Sequence, residues 1–218
     1  GVVDTCRISR CWSRPTPKSI APTRLSTELN DAVQWDILFY KDYMISHIVD
    51  EATLFCTASV LPGRTAQDLI RSIHRDWIRF FGAPKLIVAD GETGLDSEEV
   101  RQWLDRIRSE VKPKTPGEHA QTVERHHELL RQTLHKVEDQ LKEEGIHVPF
   151  DVVLAECIFV KNAMVTVGEV TPYQAVFGRT PVTLSGFEPV SEIALDDSSA
   201  GVAGFLAFVL ALELSLIH

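Results

Sequence analysis

Three acidic residues stand at places in the sequence where a carboxylate suggests chemistry. Asp36 lies inside the alternating segment Ala32–Tyr40, which predicts a half-buried β-strand, where an acid is unfavourable unless something needs it. Asp90 directly follows the apolar run Leu86–Ala89, and Glu124 lies in the first turns of a long predicted helix. In open mixed α/β sheets, sites form at strand ends and adjoining helix starts, so we expect the three carboxylates to converge.

Converging carboxylates repel one another unless a cation neutralises them. Oxygen ligands in that number suit Mg²⁺ or Mn²⁺, and two such ions can clamp the attacking and leaving oxygens of a phosphodiester. The three acids therefore predict a two-metal site for phosphoryl transfer. Glu118 and Glu92 are rival candidates for the third carboxylate. The plain alternative is that each acid is a turn, cap or solvated surface residue.

The elements that must position these acids follow from periodicity and turn residues. Tyr43–Val49 and Ala52–Leu61 predict two more strands, with Asp50-Glu51 as a hairpin turn between them. A helix is predicted from an N-cap at Thr65 to a stop at Gly82, because apolar residues recur there at helical spacing. The later predicted elements are a strand at 85–89, a helix at 97–109, a strand at 110–114 and helices at 120–144, 150–165 and 171–177. The order β-β-β-α-β-α-β-α-α-α predicts a mixed sheet with helices packed on it.

The composition is that of a globular protein. The chain has 218 residues and a formal net charge of −9, which argues against a dedicated nucleic-acid binder on whole-chain charge alone. Four cysteines are too few for a disulfide scaffold, and no secretory signal opens the chain. We therefore expect an intracellular, not secreted, protein, with Cys56 and Cys157 as buried thiols rather than ligands or nucleophiles.

The two ends differ from the predicted core at residues 28–185. Residues 1–27 are basic and Pro-rich, which predicts a linker, and the start at Gly1 rather than Met suggests a fragment. Residues 186–218 form a tail outside the core. Its apolar stretch at 200–217 reaches the length of a membrane span but has no basic flank, so we predict no membrane contact. The last five residues also resemble translated adapter sequence, and the tail is excluded from the predicted fold.

Six sequence blocks, in this order and spacing, resemble the integrase catalytic core of retroviruses and long-terminal-repeat retrotransposons, especially the gypsy type. Each block is weak alone, and the set is strong. The blocks are Val33–Ile37, Ile48–Thr53, Arg64–Ala66, Phe81–Asp90, Pro116–Arg125 and Thr171–Pro181.

The resemblance implies an RNase H-like α/β fold, with a five-stranded mixed sheet that begins with three antiparallel strands and is flanked by helices. It implies that Asp36, Asp90 and Glu124 are the catalytic triad, with Asp36 bridging two Mg²⁺ or Mn²⁺ ions. The reaction would be attack by water or a DNA 3′-hydroxyl on a DNA phosphodiester, which joins retroelement ends to target DNA. It also implies a homodimer or higher multimer that acts in the nucleus.

Several basic residues cluster in sequence around Glu124. In a DNA strand transferase they would contact phosphates, and such binding falls steeply with salt. A solvated helix face is the alternative explanation. The neighbouring His126 and His127 are predicted to lie on the helix surface, with DNA contact or chance binding of Zn²⁺ as the alternative. The basic candidates are Lys112, Lys114, Arg125, Arg131 and Lys136.

Near the N-terminus, Cys6 and Cys11 resemble the end of the family's zinc module, which uses a Cys-x-x-Cys pair. Ser9 occupies the second position of that pair, so no zinc site is predicted. Two other functions stay open. One is a decayed or co-opted core that acts as a non-catalytic interaction or DNA-binding module, suggested by the shortened loop before Glu124 and by the unusual tail. The other is a nuclease of the same fold acting on RNA in hybrids, which the block Thr171–Pro181 argues against.

Overall fold

The computed structural model describes residues 26–89, 94, 97–113, 120–166, 170–181 and 190–191, and for residues 113, 120–124, 166 and 190–191 it describes the backbone alone. The described chain forms two compact units that meet in sequence between His127 and Glu128. The predicted linker falls almost wholly outside these residues, as does nearly all of the predicted tail. The domain limits therefore stay predictions.

The first unit is built on a five-stranded sheet with the spatial order β3-β2-β1-β4-β5. The strands β1, β2 and β3 are antiparallel neighbours, whereas β4 runs parallel to both β1 and β5. The mixed sheet with three antiparallel strands first is therefore confirmed. The strands are β1 (Ala32–Tyr40), β2 (Tyr43–Asp50), β3 (Cys56–Leu61), β4 (Leu86–Ala89) and β5 (Glu110–Pro113).

The central strand β1 is buried along almost its whole length, with Phe39 as its one exposed residue. Burial alternates less along β1 than the sequence pattern predicted, because side chains on both faces of this central strand are buried. The register sets Asp36 opposite His47 on β2 and Trp35 beside Ala89 on β4. Both pairings bear on the site.

The connection between β2 and β3 is longer than the predicted two-residue turn. Asp50 belongs to β2, and the next strand begins only at Cys56. The Asp50 carboxylate accepts hydrogen bonds from the backbone N–H and the hydroxyl of Thr53, each 2.8 Å long. Leu54 adopts a left-handed conformation with φ of 59°. A side chain that bonds to its own turn competes with strand pairing, so the predicted strand over Ala52–Phe55 was wrong.

Helices of the first unit follow the sequence pattern closely. The helix α1 (Ala66–Ile73) starts at Thr65, whose side chain accepts a hydrogen bond from the Asp68 N–H. It passes through a π-helical turn (His74–Ile78) into α2 (Arg79–Phe81), which ends at Gly82 with φ of 79°. The π-helical turn was not predicted. The next helix is α3 (Glu98–Arg106).

The long helix α4 (Ala120–Glu144) begins in the first unit and continues in the second. The second unit further contains α5 (Phe150–Met164), α6 (Pro172–Phe177) and a parallel pair, β6 (Val165–Thr166) with β7 (Val190–Ser191). Thr171 and Gln174 form a reciprocal capping box at the start of α6. No helix in the described part of the chain is long and apolar enough to span a membrane.

Candidate active site

Asp36 is a buried carboxylate at the middle of β1, with 9% of the residue exposed. Its Oδ1 accepts a hydrogen bond from the backbone N–H of Ile37 at 2.7 Å. Burying a charged group in a sheet costs free energy unless other groups or ions compensate the charge. The position therefore needs a chemical explanation, as the sequence pattern had indicated.

The strand β4 lies beside β1 and runs parallel to it. Trp35 pairs with Ala89 in parallel register, so Asp36 and Asp90 are the residues that follow a paired position on neighbouring strands. Asp90 itself lies outside the described residues, as do the rival acids Glu92 and Glu118. The convergence of Asp36 with Asp90 therefore stays a prediction.

The start of α4 reaches Asp36 from a distant part of the sequence. Nδ1 of His127 lies 3.9 Å from Oδ2 of Asp36. Glu124 belongs to the helical backbone of α4 and precedes His127 by three residues, or about one turn. The turn that carries Glu124 therefore leads directly into a contact with Asp36, although the Glu124 side chain is not among those described.

Burial of the two histidines at the start of α4 corrects the sequence-based interpretation. His126 and His127 are 3% and 7% exposed, so the prediction that both lie on the helix surface was wrong. His47 is also buried, directly across from Asp36 in the β1–β2 register. Sequence reasoning missed His47. The available signal was a histidine in the middle of an apolar strand, which calls for the same scrutiny as an acid there.

The described residues contain no group of three or more His, Cys, Asp or Glu side chains arranged to hold a metal ion. The side chains of two of the three predicted ligands, Asp90 and Glu124, lie outside the described part of the chain, so this search did not include them. The one that is described fits the chemistry. A buried carboxylate offers the hard oxygen that Mg²⁺ and Mn²⁺ prefer, and a cation would offset the cost of burying its charge.

The predicted DNA-contacting residues have different environments. Lys112 is exposed, whereas Arg125 and Arg131 are partly buried. Lys114 lies outside the described residues. Lys136 is 8% exposed, and an ammonium that contacts DNA phosphate must reach solvent, so the structure argues against its predicted role.

The two described cysteines are buried, as predicted. Burial raises the pKa of the Cys157 thiol well above its ordinary value, and the nearby carboxylates Glu156 and Glu138 raise it further. A thiol in this environment stays protonated near neutral pH, and the thiolate is the reactive form. Cys157 is therefore unsuited to act as a nucleophile.

Comparisons with solved structures identify the architecture. The HTLV-2 integrase catalytic core, solved in complex with magnesium, matches with a TM-score of 0.57 and 19% identity over 67% of this chain and 95% of its own. The catalytic core of BIV integrase matches with a TM-score of 0.58 and 16% identity over 68% of this chain and 95% of its own. A chain of the simian T-cell lymphotropic virus intasome, solved in complex with the PP2A regulatory subunit B56 gamma, matches with a TM-score of 0.61 and 20% identity over 83% of this chain and 66% of its own.

These likenesses show that the chain has the RNase H-like fold of retroviral integrase catalytic cores, so the predicted fold class and the resemblance are both confirmed. Identity of 16–20% carries the fold and no further. No protein-family model matches the chain, and no curated protein matches it. The assignment to the gypsy type therefore stays a prediction.

Proposed function

We propose that this chain is an integrase-type polynucleotidyl transferase that joins retroelement DNA 3′ ends to target DNA. The observation that carries the proposal is the position of Asp36. It is a buried acid in the central strand of an integrase-like sheet, and the helix turn that follows Glu124 contacts it through His127. A carboxylate is rarely buried in a strand unless it is paired or binds a cation.

Asp36, Asp90 and Glu124 would hold two Mg²⁺ or Mn²⁺ ions, with Asp36 shared between them. When bound, the ions would neutralise charge on the phosphodiester and make the attacking oxygen a better nucleophile. The chain's own residues provide positioning. The Ile37 N–H holds one oxygen of Asp36, and the rigid pairing of β1 with β2 and β4 sets the direction of the carboxylate.

The reaction proposed for this site is an in-line displacement. A DNA 3′-hydroxyl loses its proton to solvent and forms a new bond to phosphorus in the target strand, while the original 3′ oxygen of that strand leaves. Water in place of the hydroxyl gives cleavage instead of joining. The energy of the phosphodiester is kept during joining, so the protein needs no other cofactor than the ions.

DNA would be bound through exposed or partly exposed cations near α4 and β5, of which Lys112, Arg125 and Arg131 are described. We do not include Lys136, which is buried. With a net charge of −9, this chain should bind DNA weakly and with steep salt dependence. A homodimer or higher multimer and a nuclear site of action complete the proposal.

The test is Mn²⁺-dependent cleavage and resealing of a branched DNA by the whole chain, a substrate that demands little DNA affinity. The variants are Asp36→Asn and Glu124→Gln, which remove charge while keeping shape. The matched control is Asp42→Asn, which makes the same chemical change in the exposed turn between β1 and β2. We expect activity in the wild type and the control and its loss in both site variants.

Inactivity of a folded wild type, together with no Mn²⁺-induced rise in melting temperature, would refute the proposal and favour a co-opted core without catalysis. Cleavage of RNA in RNA–DNA hybrids in preference to joining of DNA would favour the nuclease alternative. Activity that survives Asp36→Asn would show that the site has been placed wrongly.

A further inference from the structure

Two buried histidines, His127 and His47, lie next to the one described carboxylate of the proposed site, and a third, His126, lies near His47. His47, His126 and His127 are 1%, 3% and 7% exposed, and all belong to the first unit. His47 comes from β2 and the other two from the start of α4, so two elements far apart in sequence bring imidazoles to one place. Buried polar rings carry a desolvation cost, and two of them next to a buried carboxylate suggest that they act on it.

The two oxygens of Asp36 have different surroundings. The first, Oδ1, accepts the short hydrogen bond from the Ile37 N–H. The second, Oδ2, faces Nδ1 of His127 at 3.9 Å. That separation exceeds a direct hydrogen bond by about 1 Å, so it suits a bridging water or a small movement on ligand binding. Catalytic hydrogen bonds are often long in the absence of ligand and shorten in the working complex.

His47 limits the freedom of His127. The two rings lie 5.1 Å apart between centroids with an interplanar angle of 41°, and His47 itself is held in the middle of a paired strand. The ring of His126 lies 6.5 Å from that of His47. An imidazole packed in this way loses few conformations when it bonds to a carboxylate, which lowers the entropic cost of holding Asp36 in one orientation.

We propose that His127, backed by His47, is a positioning residue that orients the Asp36 carboxylate for metal binding. A carboxylate accepts and does not donate, so the role requires that Nδ1 of His127 carries a proton. The inference rests on the proposed function, because it gives Asp36 the role of a metal ligand. His127 does not contact DNA or the ions in this scheme and acts through Asp36 alone.

The experiment measures Mn²⁺ affinity directly, from the electron paramagnetic resonance signal of unbound Mn²⁺, with the whole chain and without DNA. His127→Leu removes both ring nitrogens, and His127→Asn places an amide nitrogen at the same number of bonds from the backbone as Nδ1. His74→Leu is the matched control, since His74 is exposed on the π-helical turn. Each His127 variant is also made in an Asp36→Asn background to complete a double-mutant cycle.

We expect His127→Leu to weaken Mn²⁺ binding by about 10-fold to 100-fold, the usual cost of losing a group that orients a metal ligand. His127→Asn should retain most of the affinity, and His74→Leu all of it. In the Asp36→Asn background the loss caused by His127→Leu should disappear. A loss of equal size in that background would show that His127 acts elsewhere and would overturn the inference.

Failure of the inference and failure of the proposed function look different. Wild type that binds no Mn²⁺ refutes the proposed function, and the inference with it. If wild type binds Mn²⁺ and His127→Leu binds it equally tightly, the inference is overturned and the proposed function stands. If His127→Leu does not fold, His127→Asn is compared with His127→Gln, whose amide lies one methylene further out. Weaker binding by the Gln variant supports the inference, and equal binding overturns it.

Discussion

Two buried aspartates on neighbouring strands of one sheet have opposite surroundings. Asp50, at the end of β2, is fully buried and accepts hydrogen bonds from the Asn30 N–H and from the N–H and hydroxyl of Thr53, each 2.8 Å long. Asp36, in the middle of β1, accepts a hydrogen bond from the Ile37 N–H at 2.7 Å and faces an imidazole 3.9 Å away.

The partners also differ in their distance along the chain. The partners of Asp50 lie within 20 residues of it in the sequence: Thr53 in the turn after β2, and Asn30 just before β1. The histidine that faces Asp36 lies 91 positions further along the sequence, on another element. The comparison teaches that burial alone does not mark a functional acid. An acid saturated by local donors stabilises the fold, whereas an acid faced by a distant helix is a candidate for chemistry.

The largest expected effect separates activity from stability at Asp36. Asp36→Asn should lower DNA resealing by at least about 1,000-fold, since a metal ligand is lost. Its free energy of unfolding without metal should stay within about 1 kcal/mol of wild type or rise, because a buried charge is removed while the Ile37 N–H keeps its acceptor. Single-turnover assays and urea denaturation measure the two quantities, with Asp42→Asn as control.

The opposite behaviour is expected at Asp50. Asp50→Ala deprives three donors of their acceptor and should lower the free energy of unfolding by about 3 kcal/mol. The specific activity of the folded fraction should not change. Urea denaturation beside Asp105→Ala, an exposed acid on α3, provides the measurement and its control. A loss below about 1 kcal/mol would contradict the structural role given to Asp50.

Asn30 donates its backbone N–H to Asp50, and its side chain bonds to the π-helical turn and to α2. Loss of that side chain should lower the free energy of unfolding by less than Asp50→Ala does. Its amide donates to the Phe81 carbonyl at 2.9 Å and accepts from the Trp77 indole N–H at 2.8 Å. Asn30→Gly keeps the left-handed backbone, with φ of 68°, and should cost about 1–2 kcal/mol through the lost side-chain bonds.

Asn30→Ala adds the strain of a side chain at positive φ and should cost about 1 kcal/mol more than Asn30→Gly. Paired denaturation curves of the two variants test this difference. Equal stability of the two would show that the backbone at this position is not held in the left-handed region.

Cys157, in the second unit, is a buried titratable group whose pKa is raised mainly by burial, and it serves as a reference for the two buried aspartates. Its effect on the free energy of unfolding should be the smallest of those predicted. Its pKa is raised in the fold, so the unfolded thiol loses its proton first, near its ordinary value of 9.0. The stability present below that value is lost as pH rises above it. Between pH 8 and pH 10, wild type should lose about 1 kcal/mol more than Cys157→Ala.

Urea denaturation of both proteins at the two pH values tests this prediction, and parallel losses would contradict it. The variant must be compared with itself across pH, because the cavity left by Ala lowers its stability at both values equally.

Local sequence determined most of the elements and the candidate acid. Alternation located β1, helical spacing with Thr65 and Gly82 located α1 and its end, and an acid within a strand identified Asp36. These features depend on residues within a few positions of one another, which is the range over which propensity, capping and periodicity act.

Only the tertiary structure decided which of the polar residues are buried and what they face. His127 and Lys136 have the pattern of a solvated helix face, yet both are buried in the fold. His47 lies across from Asp36 because of strand register, which no local pattern encodes. The sequence specifies which residues can do chemistry, whereas pairing between distant segments decides which of them meet, because only folding brings such segments into contact.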